Sequence, residues 1–330
     1  MPTVYMLIGL PGSGKSTYAE QLAKEKNATI ISTDEIRKEL FGDEAIQENE
    51  QYNGNTVFCT AYDRIKLAML EGKNIIFDAT NVKRKGRKYF LDLLRPEYFL
   101  ALQKTDYKYK FHAILIATPY EKCLQNNLMR KRVVPEEVIK RMMCNFEVPI
   151  YKEGWDSIEI VRPFEIWAPA GYNTYSWYLY DNCAIPHDCE PWHTGTIGEH
   201  LWKVRELIEL DLIQGIDKQF TTFYRIVGSF HDIGKPYVKA YNPKKGRCTY
   251  YNHGNVSAYL FCCCQPTSFS LQKAFIIEKH MEAHQYGSGD ECRAALSKKW
   301  EYNPEDIELI IKFGKYDNAG ALAVEGTVLK

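Results

Sequence analysis

The chain has 330 residues, 45% of them hydrophobic, and its 42 Lys and Arg balance 42 Asp and Glu. That length suits two domains better than one core, and the hydrophobic fraction is that of a soluble globular protein. Zero net charge excludes a global basic field drawing the chain to nucleic acid, so any strand would need a local groove.

No apolar run approaches the ~20 residues of a membrane span. Met1-Pro2-Thr3 leads into a short apolar run without the basic region or cleavage site of a signal peptide. None of the ten cysteines forms a CxxC pair, and three are consecutive (Cys262 to Cys264). Reduced core thiols and a cytoplasmic location are therefore expected.

In chain order, apolar runs at Val4–Gly9, Ala28–Ser32, Asn74–Asp78, Phe111–Ala117 and Ser157–Val161 read as strands. Helical patterns lie between them at Ser16–Lys26, Asn55–Glu71, Lys83–Leu94, Pro119–Lys131 and Pro135–Phe146. This alternation predicts an α/β domain with a doubly wound, mainly parallel sheet over residues 1–162. Residues 163–192, rich in Pro, Trp, Tyr and Asn, read as a linker or a packed irregular segment. Beyond them the patterns at Ile197–Leu212, Phe220–Asp232, Val256–Cys264, Ser270–Ala283 and Pro304–Asp317 predict an all-α domain over 193–330.

Gly9-Leu10-Pro11-Gly12-Ser13-Gly14-Lys15-Ser16 matches G-x-x-x-x-G-K-[ST] between a strand and a helix, the helix continuing from Thr17. Gly9, Gly12, Ser13, Gly14 and Thr17 belong to a loop whose backbone N–H groups can converge on phosphate at a helix N-terminus. Lys15 would reach the β- and γ-phosphates of a nucleoside triphosphate, and Ser16 would hold Mg²⁺. Gln103-Lys104-Thr105-Asp106 echoes a guanine-recognition element, but it precedes an apolar run instead of following one, which argues against a GTPase switch.

A kinase needs a base beside the acceptor hydroxyl, and Ser32-Thr33-Asp34-Glu35-Ile36-Arg37 supplies Asp34, with Arg37 one turn on. Asp78-Ala79-Thr80-Asn81 ends another strand, at the sheet edge where ligands bind. Arg130 and Arg132 fall where an arginine can close over a transferring phosphoryl group. Lys83, Arg84, Lys85, Arg87 and Lys88 form a basic stretch, either a strand-binding groove or a solvated helix face.

In the C-terminal part, histidines carry the signal: His112 lies in the first half, seven from His187 onward. His231-Asp232 closes an apolar helix and is followed by Gly234-Lys235. His200 precedes it; His253, His280, His284 and Asp317 follow on separate helical segments. Such a set can converge on divalent cations inside a helical bundle. His280-Met-Glu-Ala-His284 misplaces the glutamate of H-E-x-x-H, which excludes a zincin.

Residues 1–162 resemble the bacteriophage-type polynucleotide 5′-kinases through the phosphate loop, Asp34-x-x-Arg37, Asp78-x-Thr80-Asn81 and Arg130-Lys131-Arg132. The resemblance implies Asp34 as general base, Arg37, Asp78, Thr80 and Asn81 at the acceptor, and Arg130 or Arg132 as the lid arginine on the donor. Residues 187–320 resemble the HD superfamily of metal phosphohydrolases through Thr196-x-x-x-His200, Phe230-His231-Asp232-x-Gly234-Lys235 and Asp317. That resemblance implies His200, His231, Asp232 and Asp317 at one cation (Mn, Mg, Co, Ni or Fe) and His253 and His280, or His284, with Asp232 at a second. Lys235 would contact phosphate, with His193 and His187, in an irregular segment with no period to place them, as weaker candidates.

Jointly the two resemble bifunctional enzymes that heal nucleic-acid ends, RNA above all, with ATP or another NTP as phosphate donor. The kinase would phosphorylate a 5′-OH and the HD domain would remove a 2′,3′-cyclic, 2′- or 3′-phosphate before a separate ligase seals the strand. Two alternatives stay open on residues alone. One is a nucleoside or nucleotide kinase joined to a nucleotidase; the other is a kinase carrying a nucleotide-sensing, non-catalytic HD domain.

Overall fold

In the computed structural model the described residues are 1–42, 50–95, 108–163, 184–190, 193–215, 218–264, 269–287 and 289–321. Gln103 to Asp106 and most of 163–192 fall outside them. The chain divides into two compact units, Met1–Ile139 with Pro149–Phe164, and Lys140–Val148 with Glu165–Lys330.

The first unit is built on five parallel strands, β1 (Thr3–Ile8), β2 (Ala28–Ser32), β3 (Asn74–Asp78), β4 (Lys110–Ile116) and β5 (Ser157–Val161), in the order β2-β3-β1-β4-β5. β1 runs almost wholly buried, as a strand covered on both faces by helices must be. Tyr5 and Leu7 from β1 pack with Ile76, Ile114 and Ile116 from its neighbours and with Ala19 and Leu22 from the helix Lys15–Lys26. The order of strands reverses at β1, between β3 and β4, so the crevice beyond its carboxyl end is where this architecture binds ligands. The phosphate loop, Thr33-Asp34, Asp78–Asn81 and Thr118 all follow strands at that one edge.

The second unit is mostly helical. Its longer helices are Ile197–Ile213, Lys218–Phe230, His253–Cys263, Leu271–Lys279 and Pro304–Ala319. Thr196 opens the first of these with a capping box: its hydroxyl accepts from Glu199 N while Glu199 accepts from Thr196 N. Two features depart from the sequence reading. The unit is not all-α, because Ala240–Asn242 and Arg247–Thr249 form an antiparallel hairpin (β6, β7) across Pro243-Lys244-Lys245-Gly246. Ser270–Ala283 is not one helix: it breaks after Lys279 and resumes as Glu282–Gln285.

Residues 140–148 join this second unit, where Phe146 packs edge-on against Tyr259 and Val148 N donates to the buried Glu278 carboxylate at 2.6 Å. Six of the nine described cysteines are buried and all nine are free thiols. Among the described residues no helix is long and apolar enough to cross a membrane.

Candidate active sites: a phosphate loop and a histidine–aspartate cluster

The phosphate loop owes its shape to two glycines. Gly12 (φ +79°) and Gly14 (φ +93°) hold left-handed conformations, and a Cβ on Gly12 would lie 2.2 Å from the Cys123 carbonyl oxygen. Asn126 Nδ2 donates to Gly12 O (2.9 Å) and Thr118 Oγ1 to Ser13 O (2.7 Å), pinning the loop from β4's side. Lys15 folds back, its Nζ donating to Gly9 O at 3.0 Å and Leu10 O at 2.8 Å. Burial depresses the lysine's pKa, with the Asp78 carboxylate opposing. These carbonyls occupy donors that a phosphate chain would claim.

Ser16 Oγ donates to Asp78 Oδ2 at 2.8 Å. Burial raises Asp78's pKa against the pull of Lys15 and the Ser16 hydroxyl. A hydroxyl and a carboxylate in contact beside the loop are hard oxygen donors suited to Mg²⁺. The hydrogen bond brings Asp78, which the sequence reading grouped with the acceptor contacts, beside Ser16. Asn81 (φ +48°) turns its amide Nδ2 onto Leu7 O at 2.8 Å, a bond that ties the β3 end to β1. Thr80 O accepts from Gly9 N at 3.0 Å, and its side chain is half-buried.

At the adjoining strand end, Ser32 caps the helix Thr33–Phe41, leaving the Asp34 carboxylate exposed. Three guanidiniums surround that carboxylate: Arg37 Nη1 at 2.8 Å and Arg132 Nη1 at 3.3 Å on Oδ1, and Arg130 Nη2 at 3.0 Å on Oδ2. Both lid candidates thus reach Asp34. Asn127 steadies their loop, exchanging hydrogen bonds with Val134 N (3.0 Å) and Val134 O (2.8 Å).

The basic stretch after Asn81 is no groove. Arg87 is fully buried and binds Glu153 through two bonds of 2.8 Å; Arg84 is 2% exposed and lies 3.7 Å from the same carboxylate. The helix Arg84–Leu94 turns these two arginines inward, spaced three apart on one face, and Lys88 pairs with Asp92. Only Lys83 and Lys85 of the five are exposed.

In the second unit the sequence-derived ligand set converges. His200 Nε2 lies 3.1 Å from His231 Nε2, and Asp317 Oδ1 is 2.9 and 3.3 Å from the two. Asp232 Oδ2 stands 3.4 and 3.5 Å from them. Its other oxygen, Oδ1, is 3.1 Å from His253 Nε2 and 3.7 Å from His280 Nε2, themselves 3.0 Å apart. Each of the four rings donates its Nδ1–H to a backbone carbonyl at 2.7–3.0 Å: Gly320, Gly228, Tyr250 and Ile277 respectively. In a neutral ring that leaves Nε2 as a lone pair.

Two pairs of facing lone pairs beside buried carboxylates are repulsive unless a proton or a metal cation stands between them. Fixing each ring by its far nitrogen is how metal-binding histidines are oriented. His200, His231 and Asp232 form one possible ligand group, and Asp232, His253 and His280 another. His284 stays out of the second group: its Nε2 bonds Asp317 Oδ2 at 2.8 Å.

The charges around the cluster are finely opposed. Burial alone would lower His231's pKa, yet Asp232 and Asp317 raise it above the ordinary value. Burial likewise works against the Asp232 carboxylate, but Lys235, 2.5 Å away, and His231 hold its pKa well below the usual range. Lys235 Nζ also meets His187 Nε2 at 2.9 Å, and His187 stacks on His193 with centroids 4.3 Å apart. Burial first and Lys235 second push His187 down to about 2 and His193 to about 3, so both rings are neutral.

The Nδ1 atoms of His187 and His193 are buried without a hydrogen-bond partner among the described residues. A cavity of about 380 Å³ opens beside the cluster, reaching Asp232, His253, Asp317, His193 and Lys235. The sequence could not bring His187 beside Lys235 and His193, because it lies in a segment with no period to place it. A signal for the hairpin was present in Asn242-Pro243-Lys244-Lys245-Gly246, a turn sequence between short polar-aromatic runs.

A family model described as an AAA domain matches residues 4–149. The chain is 30% identical over 166 residues to L-seryl-tRNA(Sec) kinase of Methanococcus maripaludis, covering 47% of this chain and 56% of that protein. It is 25% identical over 167 residues to protein kti12 of Schizosaccharomyces pombe, covering 48% and 55% respectively. The N-terminal half is a P-loop kinase-like domain. The chain spans about half the length of the curated relatives it matches. Among solved structures, one titled as the Pnkp1/Rnl/Hen1 RNA repair complex aligns at 20% identity and a TM-score of 0.36, over 43% of this chain and 42% of that one.

Proposed function

We propose that the chain is a bifunctional cytoplasmic enzyme of RNA ends, pairing a 5′-hydroxyl kinase (residues 1–162) with an HD-type phosphohydrolase (193–330). The observation that carries the reading is the buried cluster in which Asp232 bridges two histidine groups, present in the same chain as a complete phosphate loop. An RNA-borne acceptor is favoured by the name of the L-seryl-tRNA(Sec) kinase relative. The three arginines gathered at the Asp34 carboxylate are compatible with an acceptor that itself carries a phosphate.

In the kinase unit Lys15 leaves the loop carbonyls for the phosphates of ATP or another NTP. Ser16 and Asp78 would hold its Mg²⁺, and Asp34 would take the proton of the 5′-hydroxyl. Arg37 binds the acceptor's phosphate while Arg130, with Arg132 beside it, covers the transferring group.

In the hydrolase unit His200, His231, Asp232 and Asp317 would hold one divalent cation, and Asp232, His253 and His280 another. Such cations supply Lewis-acid chemistry, polarising a phosphoryl oxygen and acidifying water. Lys235 keeps Asp232 ionised and, with His193, faces the phosphate from the cavity. Together the units would leave a 5′-phosphate and a free 3′-terminus, the ends a separate ligase joins.

One oligoribonucleotide bearing 5′-OH and 2′,3′-cyclic phosphate ends tests both halves. With γ-labelled ATP, label should enter the 5′ end and the cyclic phosphate should open and be released. Lys15→Ala should stop only the first reaction and Asp232→Asn only the second. Labelling of free nucleosides but not of the oligonucleotide would sink the end-healing reading.

A further inference from the structure

With Arg84 and Arg87 buried, a neutral chain that handles strands must carry its basic surface elsewhere. The hairpin of the second unit carries such a surface. Between Lys239 and Tyr251 the sequence holds four cations, four aromatic or thiol-bearing side chains and no acidic residue. Lys239 is committed to Asp188 at 2.7 Å, but Lys244 and Lys245 at the turn are exposed, with Arg247 half-buried beside them.

Lys245, Arg247, Tyr250 and Tyr251 line the same cavity as Asp232 and His253. Its volume of about 380 Å³ is of the size that encloses one nucleotide-sized ligand. Tyr251, which lines it, is 65% exposed, and Tyr241, paired across the hairpin with Cys248, is 67% exposed. Lys245 Nζ is tethered to Tyr251 through its hydroxyl at 3.0 Å, so charge and ring are held together. Cations that track a backbone beside aromatic faces that stack unpaired bases are what single strands bind.

We propose that this hairpin, with Tyr250 and Tyr251, is the strand-binding element of the C-terminal site. It seats the 3′-terminal nucleotide of a single strand in the cavity and holds the phosphates behind it with Lys244, Lys245 and Arg247. The proposal rests on the hydrolase reading above for what happens to the seated terminus, and it deepens that reading by naming a strand, not a free nucleotide, as substrate.

The test uses the full-length protein and a fluorescent octanucleotide with a 5′-phosphate and 3′-hydroxyl, inert to both sites, titrated by anisotropy at several salt concentrations. Neutralising three cations in Lys244→Ala/Lys245→Ala/Arg247→Ala should weaken binding and flatten the log K against log salt slope by about 2. Tyr251→Ala should weaken binding about tenfold and leave the slope alone. Lys24→Ala/Lys298→Ala, removing charge from other surfaces, should shift affinity by less than about twofold.

Wild-type affinity and slope in the triple variant, or an equal loss in the control pair, overturns the proposal. Phosphate release from a 2′,3′-cyclic-ended octanucleotide, measured in parallel, separates it from the reading it rests on. Hairpin-dependent binding without any release leaves the strand element standing and removes the hydrolase. Release at the same kcat/KM in wild type and triple variant removes the strand element and leaves the hydrolase.

Discussion

Two arginine–carboxylate groups in the N-terminal unit share the same chemistry and differ in everything that decides its use. Glu153 is buried and saturated, accepting from Arg87 twice, from Trp155 Nε1 at 2.9 Å and from Ile150 N at 3.0 Å. Asp34 is exposed at the sheet's carboxyl edge, and the three arginines on it have room to move to something else. A buried pair with every lone pair used fixes a loop against a helix. An open cluster of three arginines on one exposed carboxylate leaves its groups accessible to solvent. Burial and saturation, not charge count, separate the group locked into the fold from the group left open.

The contrast can be broken at four points, the greatest effect first. Asp34→Asn should cut 5′-phosphorylation by roughly 10²–10⁴-fold in single-turnover assays. Its unfolding free energy should stay within about 0.5 kcal/mol of wild type. Arg87→Met should do the reverse, costing about 3–5 kcal/mol in urea unfolding because the buried Glu153 loses the partner that makes two of its hydrogen bonds, Arg84 at 3.7 Å being too far to replace them. A stable Arg87→Met variant would show that the two groups are not different in kind.

Arg130→Ala should lower kcat by about 10²–10³-fold. Arg132→Ala, on the longer contact to Asp34, should cost less, and equal losses would make the two a joint clamp. The smallest effect concerns His112, partly buried beside Tyr5 and 3.6 Å from Glu159. Burial lowers its pKa below the ordinary value, with Glu159 opposing. The unfolded chain therefore takes up the proton first, and stability should fall as pH drops through about 6.5. His112→Gln should flatten urea midpoints measured from about pH 7.5 to 5.5.

The phosphate loop was readable because its function is carried by eight contiguous residues whose backbone makes the site. The histidine cluster was readable only as an ordered set. Its members span residues 200 to 317, and the patterns put them on separate segments without saying which would meet. The lysine- and arginine-rich run after Asn81 was legible as basic and misleading as a groove. Helical spacing gives Arg84 and Arg87 a common face, but nothing local says that Glu153, 66 residues beyond Arg87, stands opposite it. The hairpin escaped because two three-residue strands carry too little periodicity to register against neighbouring helices.

By itself, then, the sequence determined the parallel sheet, the phosphate loop and the identity of the residues able to gather cations. These follow from local geometry: period, glycine conformations and the donor chemistry of each side chain. Tertiary structure alone decided that Asp78 meets Ser16, that His280 and not His284 faces His253, that Arg130 and Arg132 both reach Asp34 and that Lys245 and Arg247 line the same cavity as Asp232. Each of those depends on which distant elements come to lie side by side, and that is set by the packing of whole faces, which no window of sequence contains.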